Sequence, residues 1–263
     1  MKLIKKYATN NMHYKNNRII NVKRLVLHSV GCPQPNPDVF VKSWDSTSNK
    51  YLAQIVIGAS KAYEVLPCMQ TKGKAVFCWH VGTANGTSIG AEMTEPSTIK
   101  YTGGANWVDL NPAKTKAHVL ATYKNAVDIF AQLCKFHGLD PLADGVILSH
   151  KECHARGIGT NHGDVEHIWN KFGLSMDQFR KDVANAIGNV AVPDEKPFKV
   201  KVSINNLNMR VGPSTSSQRI GYIPIGIYTI VETKNGWGRL KVQQKYNGKL
   251  VDAWICLSYT TRL

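Results

Sequence analysis

The chain has 263 residues, 43% hydrophobic and 19% charged, which suits one or two domains that each bury a core and excludes a disordered polyelectrolyte. Its formal net charge of +15 points to an anionic polymer as partner, either nucleic acid or a cell wall bearing anionic chains. No apolar run approaches the roughly 18 residues of a membrane span, and no apolar stretch of signal-peptide type follows the N-terminal lysines, so any export is expected by another route.

Along the chain, short apolar runs at 24–28, 53–57, 62–66, 88–93 and 146–149 predict strands. Asn36-Pro37-Asp38 reads as a helix N-cap followed by proline, opening a helix through Trp44. Asn111-Pro112 repeats the signal. The helix it opens carries Leu120, Tyr123, Val127, Phe130 and Cys134 at three- and four-residue spacing and stops at Gly138. Ser175 with Gln178 three residues on predicts a capping box and a last helix ending near Gly188. Strands interleaved with helices indicate an α/β domain over residues 1–188, with a central mixed β-sheet flanked by helices.

Residues 189–197, with two prolines and no period, read as a linker. Beyond them strand-like runs recur at 200–204, 207–210, 220–223, 228–232, 238–242 and 253–256. Turn pairs such as Asn235-Gly236 and Asn247-Gly248 separate them, the pattern of a small all-β barrel over 198–263. Residues 196–263 hold eleven Lys and Arg against two Asp and Glu, so most of the basic excess lies in this tail. The six cysteines (Cys32, Cys68, Cys78, Cys134, Cys153 and Cys256) form no CxxC pair and are read as free thiols.

The chemistry concentrates at two strand ends. His28 closes the apolar run 24–28, and His150 follows the run 146–148. After His150 comes a Gly-rich loop carrying His154, His162 and Asp164. Two histidines with such a loop match a three-ligand zinc site that keeps its fourth position open, and such a site activates water for hydrolysis. His150, Glu152 and His154 superficially suggest a helical zinc-protease motif, but its order is His-Glu-x-x-His and this chain has His-Lys-Glu-Cys-His. His167 is read as orienting a ligand rather than as a ligand itself.

Leu27-His28-Ser29, Trp79-His80-Val81-Gly82, Ile89-Gly90-Ala91-Glu92, Ser149-His150 and the run from Asn161-His162-Gly163-Asp164 to His167 occur in order over residues 15–185. In these motifs the chain resembles the zinc-dependent N-acetylmuramoyl-L-alanine amidases, which share the fold of the peptidoglycan recognition proteins. The resemblance implies one zinc ion on His28, His150 and Asp164, Glu92 and His162 as catalytic partners, and His80 as a substrate contact. The tail segments 207–214 and Asn235-Gly236-Trp237-Gly238 resemble a bacterial SH3 domain, which implies binding to bacterial cell wall.

Together these readings predict a peptidoglycan hydrolase of endolysin type. It would be made in the bacterial cytoplasm, act at the wall, and cut between N-acetylmuramic acid and L-alanine. Its expected partners are peptidoglycan and anionic wall polymers, with neither nucleic acid nor membrane. The alternatives are a peptidoglycan-binding protein without turnover and an endopeptidase acting within the stem peptide.

Overall fold

The apolar runs of the first 187 residues become a sheet whose inner strands are covered on both faces. A computed structural model describes residues 1–187, 197–234 and 236–263, in two compact units, Met1–Ile187 and Gly188–Leu263. Except for Pro197, the expected linker lies outside the described residues. Strands of the first unit are β1 (Leu3–Lys5), β2 (Ile19–Asn21), β3 (Arg24–Ser29), β4 (Ile55–Ile57), β5 (Ala62–Glu64), β6 (Lys74–Val76), β7 (Ser88–Met93), β8 (Ile99–Gly103), β9 (Asn106–Asp109) and β10 (Ile147–Ser149).

Six of them form one mixed sheet in the order β1-β5-β4-β7-β3-β10, parallel throughout except for the β4–β5 pair. Leu25, Val26 and Leu27 of β3, like all three residues of β4, are fully buried. That double burial explains why these strands read as continuous apolar runs rather than as an alternation. β2–β6 and β8–β9 are separate antiparallel pairs.

Helices α1 (Met12–Asn16), α2 (Pro37–Trp44), α3 (Pro112–His137), α4 (His150–Ala155), α5 (Glu166–Trp169) and α6 (Met176–Ile187) complete the unit. Asn111 caps α3 by accepting from Lys114 N, and Gly138 ends it in the left-handed region at φ 72°. The long helix packs on α6, with the Phe130 and Phe179 rings edge to face at 5.1 Å. Its buried stripe runs through Val119, Tyr123, Val127 and Phe130, whereas Leu120, expected on that face, is exposed. At α6 only half of the expected capping box forms. Gln178 N donates to Ser175 Oγ, but the Gln178 side chain turns to Asp182.

The second unit holds β11 (Phe198–Val202), β12 (Leu207–Arg210), β13 (Arg219–Ile223), β14 (Gly226–Lys234), β15 (Trp237–Leu240), β16 (Gln244–Tyr246), β17 (Lys249–Val251), β18 (Trp254–Cys256) and β19 (Thr260–Arg262). Seven of these make an antiparallel sheet, β13-β12-β18-β15-β14-β11-β19, around Val200, Val202, Ile230 and Ile255. β16 and β17 pair across Asn247-Gly248, whose φ values of 46° and 77° are those of a hairpin turn with both central residues left-handed. Trp237 and Trp254 are buried, while Tyr222 and Tyr259 are exposed. All six cysteines are free thiols. Among the described residues no helix is long and apolar enough to cross a membrane.

Candidate metal centre

Strand register assembles the centre. β7, β3 and β10 lie side by side and parallel, with Glu92 paired to His28 and Ser149 to Leu27, so His150 emerges one residue beyond, level with His28. Ligand crevices of open α/β sheets form at such carboxyl strand ends. Ser149 ends β10 and caps α4 with a complete capping box. Its Oγ accepts from Glu152 N, and Glu152 Oε2 accepts from Ser149 N. Arg180 grips the same Glu152 carboxylate through both terminal guanidinium nitrogens at 3.0 Å. The first helical position, occupied by His150, is therefore held from two directions. Asp164 is drawn in from the following loop, where its carbonyl accepts from Lys151 N at 3.1 Å.

The Nδ1 atoms of His28 and His150 stand 3.0 Å apart, and Asp164 Oδ2 lies 3.3 Å from the first and 3.7 Å from the second. Four-coordinate zinc with ligands at about 2.0–2.1 Å sets ligand atoms about 3.3 Å from one another, so the observed triangle has the right size. The proton positions also fit. Ser88 Oγ spends its one proton on Ala84 O, so it must accept from His80 Nε2–H, 3.1 Å away. Burial, then the neighbouring His28, holds the His80 pKa far below that of free histidine, so His80 is neutral and its Nδ1 is an acceptor. That atom lies 2.9 Å from His28 Nε2, which must therefore carry a proton, so Nδ1 is the His28 nitrogen that ligates once its own proton is shed. His150 Nε2 lies 2.9 Å from Thr160 Oγ1, and burial with the His28 charge lowers its pKa to about 4. Two imidazole nitrogens and a carboxylate converge, the donor set of a dication, which would displace any proton from His28 Nδ1. Burial opposes charge on His28, but the Asp164 hydrogen bond and the Glu92 and Asp164 charges outweigh it and raise its pKa.

Gly90 makes the second layer possible. A Cβ there would stand 2.6 Å from His80 Nδ1, so the strand has no side chain where the His80 ring lies. The close approach at this glycine is made by a side chain. With both nitrogens of His80 engaged, only its ring edge is left for substrate.

His28, His80, His150 and Asp164 line a cleft of about 990 Å³, together with Glu92 and His162. Glu92 is half-buried, and its Oε2 has no hydrogen-bond partner. Burial, with the Asp164 and Glu95 charges adding and His28 opposing, pushes its carboxyl up to about 7. His162 is largely exposed. Its ring stacks on that of His150 at 4.3 Å, and its Nδ1 is 3.8 Å from Asp164 Oδ1. His154 is exposed and outside the triangle, and Cys153 is fully buried with its thiol pushed up to about 12, chiefly by burial. His167 was expected to orient a ligand. Instead its Nε2 lies 2.7 Å from the Tyr101 hydroxyl, which is 2.8 Å from the buried Glu95 carboxylate. Sequence reading did not single out Glu95, Tyr101, Ser88 or Thr160, because none of them belongs to a spaced pattern.

Residues 17–164 match the family described as N-acetylmuramoyl-L-alanine amidase. Among solved structures the chain is similar to the Staphylococcus aureus hydrolase AmiA in complex with its ligand, with 17% identity over 71% of this chain and 83% of that one and a TM-score of 0.53. It is also similar to the catalytic domain of XlyA (12% identity, 70% and 99% covered, TM-score 0.49) and to a mutant endolysin from Bacillus subtilis (14%, 70% and 99%, 0.46). At 17% identity the AmiA likeness shows a shared fold. No curated protein matches the chain.

Proposed function

The chain belongs to the N-acetylmuramoyl-L-alanine amidase family and is a peptidoglycan amidase; from that premise we propose that it hydrolyses the lactyl–alanine amide with one zinc ion held by His28, His150 and Asp164. The observation that carries the proposal is the convergence of these three side chains, whose ligand atoms lie within 4.8 Å of one another. Zinc bound there would lower the pKa of water to near neutrality and polarise the scissile carbonyl.

The remaining work falls to side chains. Glu92, the cross-strand neighbour of His28, takes the proton of the attacking water as the new C–O bond forms. It returns that proton to the departing alanine nitrogen as the C–N bond breaks. His162, at the open side of the triangle, donates a hydrogen bond to the carbonyl oxygen as negative charge develops there. His80 acts through His28, fixing its tautomer, rather than through substrate.

For the second unit we propose a bacterial SH3 domain that holds the enzyme on the wall, supported by its antiparallel sheet and basic balance. Tethering to an insoluble polymer raises the local substrate concentration. The protein then acts at the bacterial wall as an endolysin does, on peptidoglycan and its anionic polymers.

Mass spectrometry of digested wall tests the bond assignment. New L-alanine N-termini without new reducing sugar ends are expected. New N-termini within the stem peptide would instead make the protein an endopeptidase.

A further inference from the structure

The cleft lining divides by element and by chemistry. One part comes from α2 and the segment after it, with the residue before His80: Phe40, Trp44, Tyr51, Leu52 and Trp79. None of these five carries a charge. The other part comes from the β8–β9 hairpin, the loop entering α5 and α5 itself, including Tyr101, His162 and His167, and is rich in polar and ionisable groups. The metal triangle opens into the same cleft.

Tyr51 stands out in the uncharged part. It is 72% exposed, far more than a tyrosine held for packing. Its position is nevertheless fixed: its backbone forms a parallel bridge with Trp79, and Leu52 N donates to Trp79 O at 3.2 Å. The Tyr51 and Trp79 rings lie 6.0 Å apart at 45°. Behind them the His13 ring packs edge-on to Trp79 at 5.3 Å and is itself anchored to Lys50 O at 2.9 Å. Among the described residues the Trp79 indole N–H makes no hydrogen bond. The result is a braced aromatic platform with a spare donor, one residue along the chain from the histidine that orients His28.

Resting on the amidase reading, we infer that Tyr51 and Trp79 form a saccharide subsite, which stacks on a pyranose ring of the glycan strand beside the scissile amide. Such a substrate is neutral on its sugar side and charged on its peptide side, and the amide that is cut divides the two. A neutral ring with axial C–H groups on its face and an N-acetyl carbonyl suits an uncharged aromatic platform with a free indole N–H. The ionisable part of the lining suits the charged peptide.

The test is calorimetric titration of the full chain with two uncleavable probes, the peptide-free disaccharide of N-acetylglucosamine and N-acetylmuramic acid, and the sugar-free peptide L-Ala-D-isoglutamine-L-Lys. Tyr51→Ala is expected to weaken disaccharide binding about fivefold or more, with Tyr51→Phe keeping it because stacking does not need the hydroxyl. Trp79→Phe removes the indole donor while keeping a ring and is expected to weaken the disaccharide as well. Peptide affinity is expected to stay the same in all three variants. Loss of peptide binding in Tyr51→Ala with the disaccharide unaffected would overturn the inference, as would a wild type that binds no disaccharide. The bond cut by wild type is read separately. Release of L-alanine N-termini alongside an unresponsive Tyr51→Ala sinks the subsite alone, whereas their absence sinks the amidase reading whatever Tyr51 does.

Discussion

At the scale of single residues, chemistry here is decided by which lone pairs are free. Ser88 gives its proton to Ala84 O, and that one choice passes through His80 to make Nδ1 the ligating nitrogen of His28. His28 and His150 were legible in the sequence because each ends an apolar run. Ser88 and Thr160 were not, since a hydroxyl that fixes a tautomer has no spacing to betray it. Glu92 needs the opposite property, a proton it can both take and give, and burial with nearby negative charge places its carboxyl near the working range. Since Glu92 must be ionised to act, activity rises as pH rises through its titration. A bound dication would draw that midpoint below 7. Glu92→Gln is expected to retain zinc, to lose turnover by about 10²-fold or more, and to lose this part of the acid limb in a pH–rate profile. Near-normal turnover would remove Glu92 from proton transfer.

At the scale of elements, three parallel strands do the aligning. Because β3 pairs in register with both β7 and β10, His28, Glu92 and His150, successively 64 and 58 positions apart along the chain, arrive at one sheet end only if those registers hold. The apolar runs announced these strands, and Asn-Pro signals announced α2 and α3. The three-residue strands β1, β2 and β6 and the β8–β9 hairpin escaped notice because such short segments carry no period. Gly90 is where strand and site meet. Gly90→Ala would press a methyl group into the His80 ring, and a strain cost of about 1–3 kcal/mol is expected by chemical denaturation, with weaker zinc binding because His28 loses its fixed partner. Unchanged stability and zinc affinity would mean that the strand tolerates a side chain there and that the His80 link does not matter.

At the scale of the whole molecule, charge and catalysis are separated along the chain. Residues 196–263 carry a balance of +9 out of +15, yet the metal triangle and its cleft belong wholly to the first unit. The turn pairs and short strand runs made the β character of the tail readable. They did not fix the pairing order, which depends on contacts between strands distant in sequence. Deleting residues 198–263 is expected to leave hydrolysis of small soluble wall fragments intact while weakening co-sedimentation with intact wall, most clearly at low salt where exposed charges are least screened. Equal wall binding with and without the tail would refute the tether.

Everything mechanistic rests on three side chains sharing one ion. Metal analysis of purified protein, wild type against His28→Ala and Asp164→Asn, reads this directly. About one zinc per chain is expected in wild type, in line with the single three-ligand site. Each variant should fall far below that and lose wall lysis, with chelated wild type inactive until zinc is restored. Full lysis by the metal-free protein, or a variant that keeps its zinc, would contradict it.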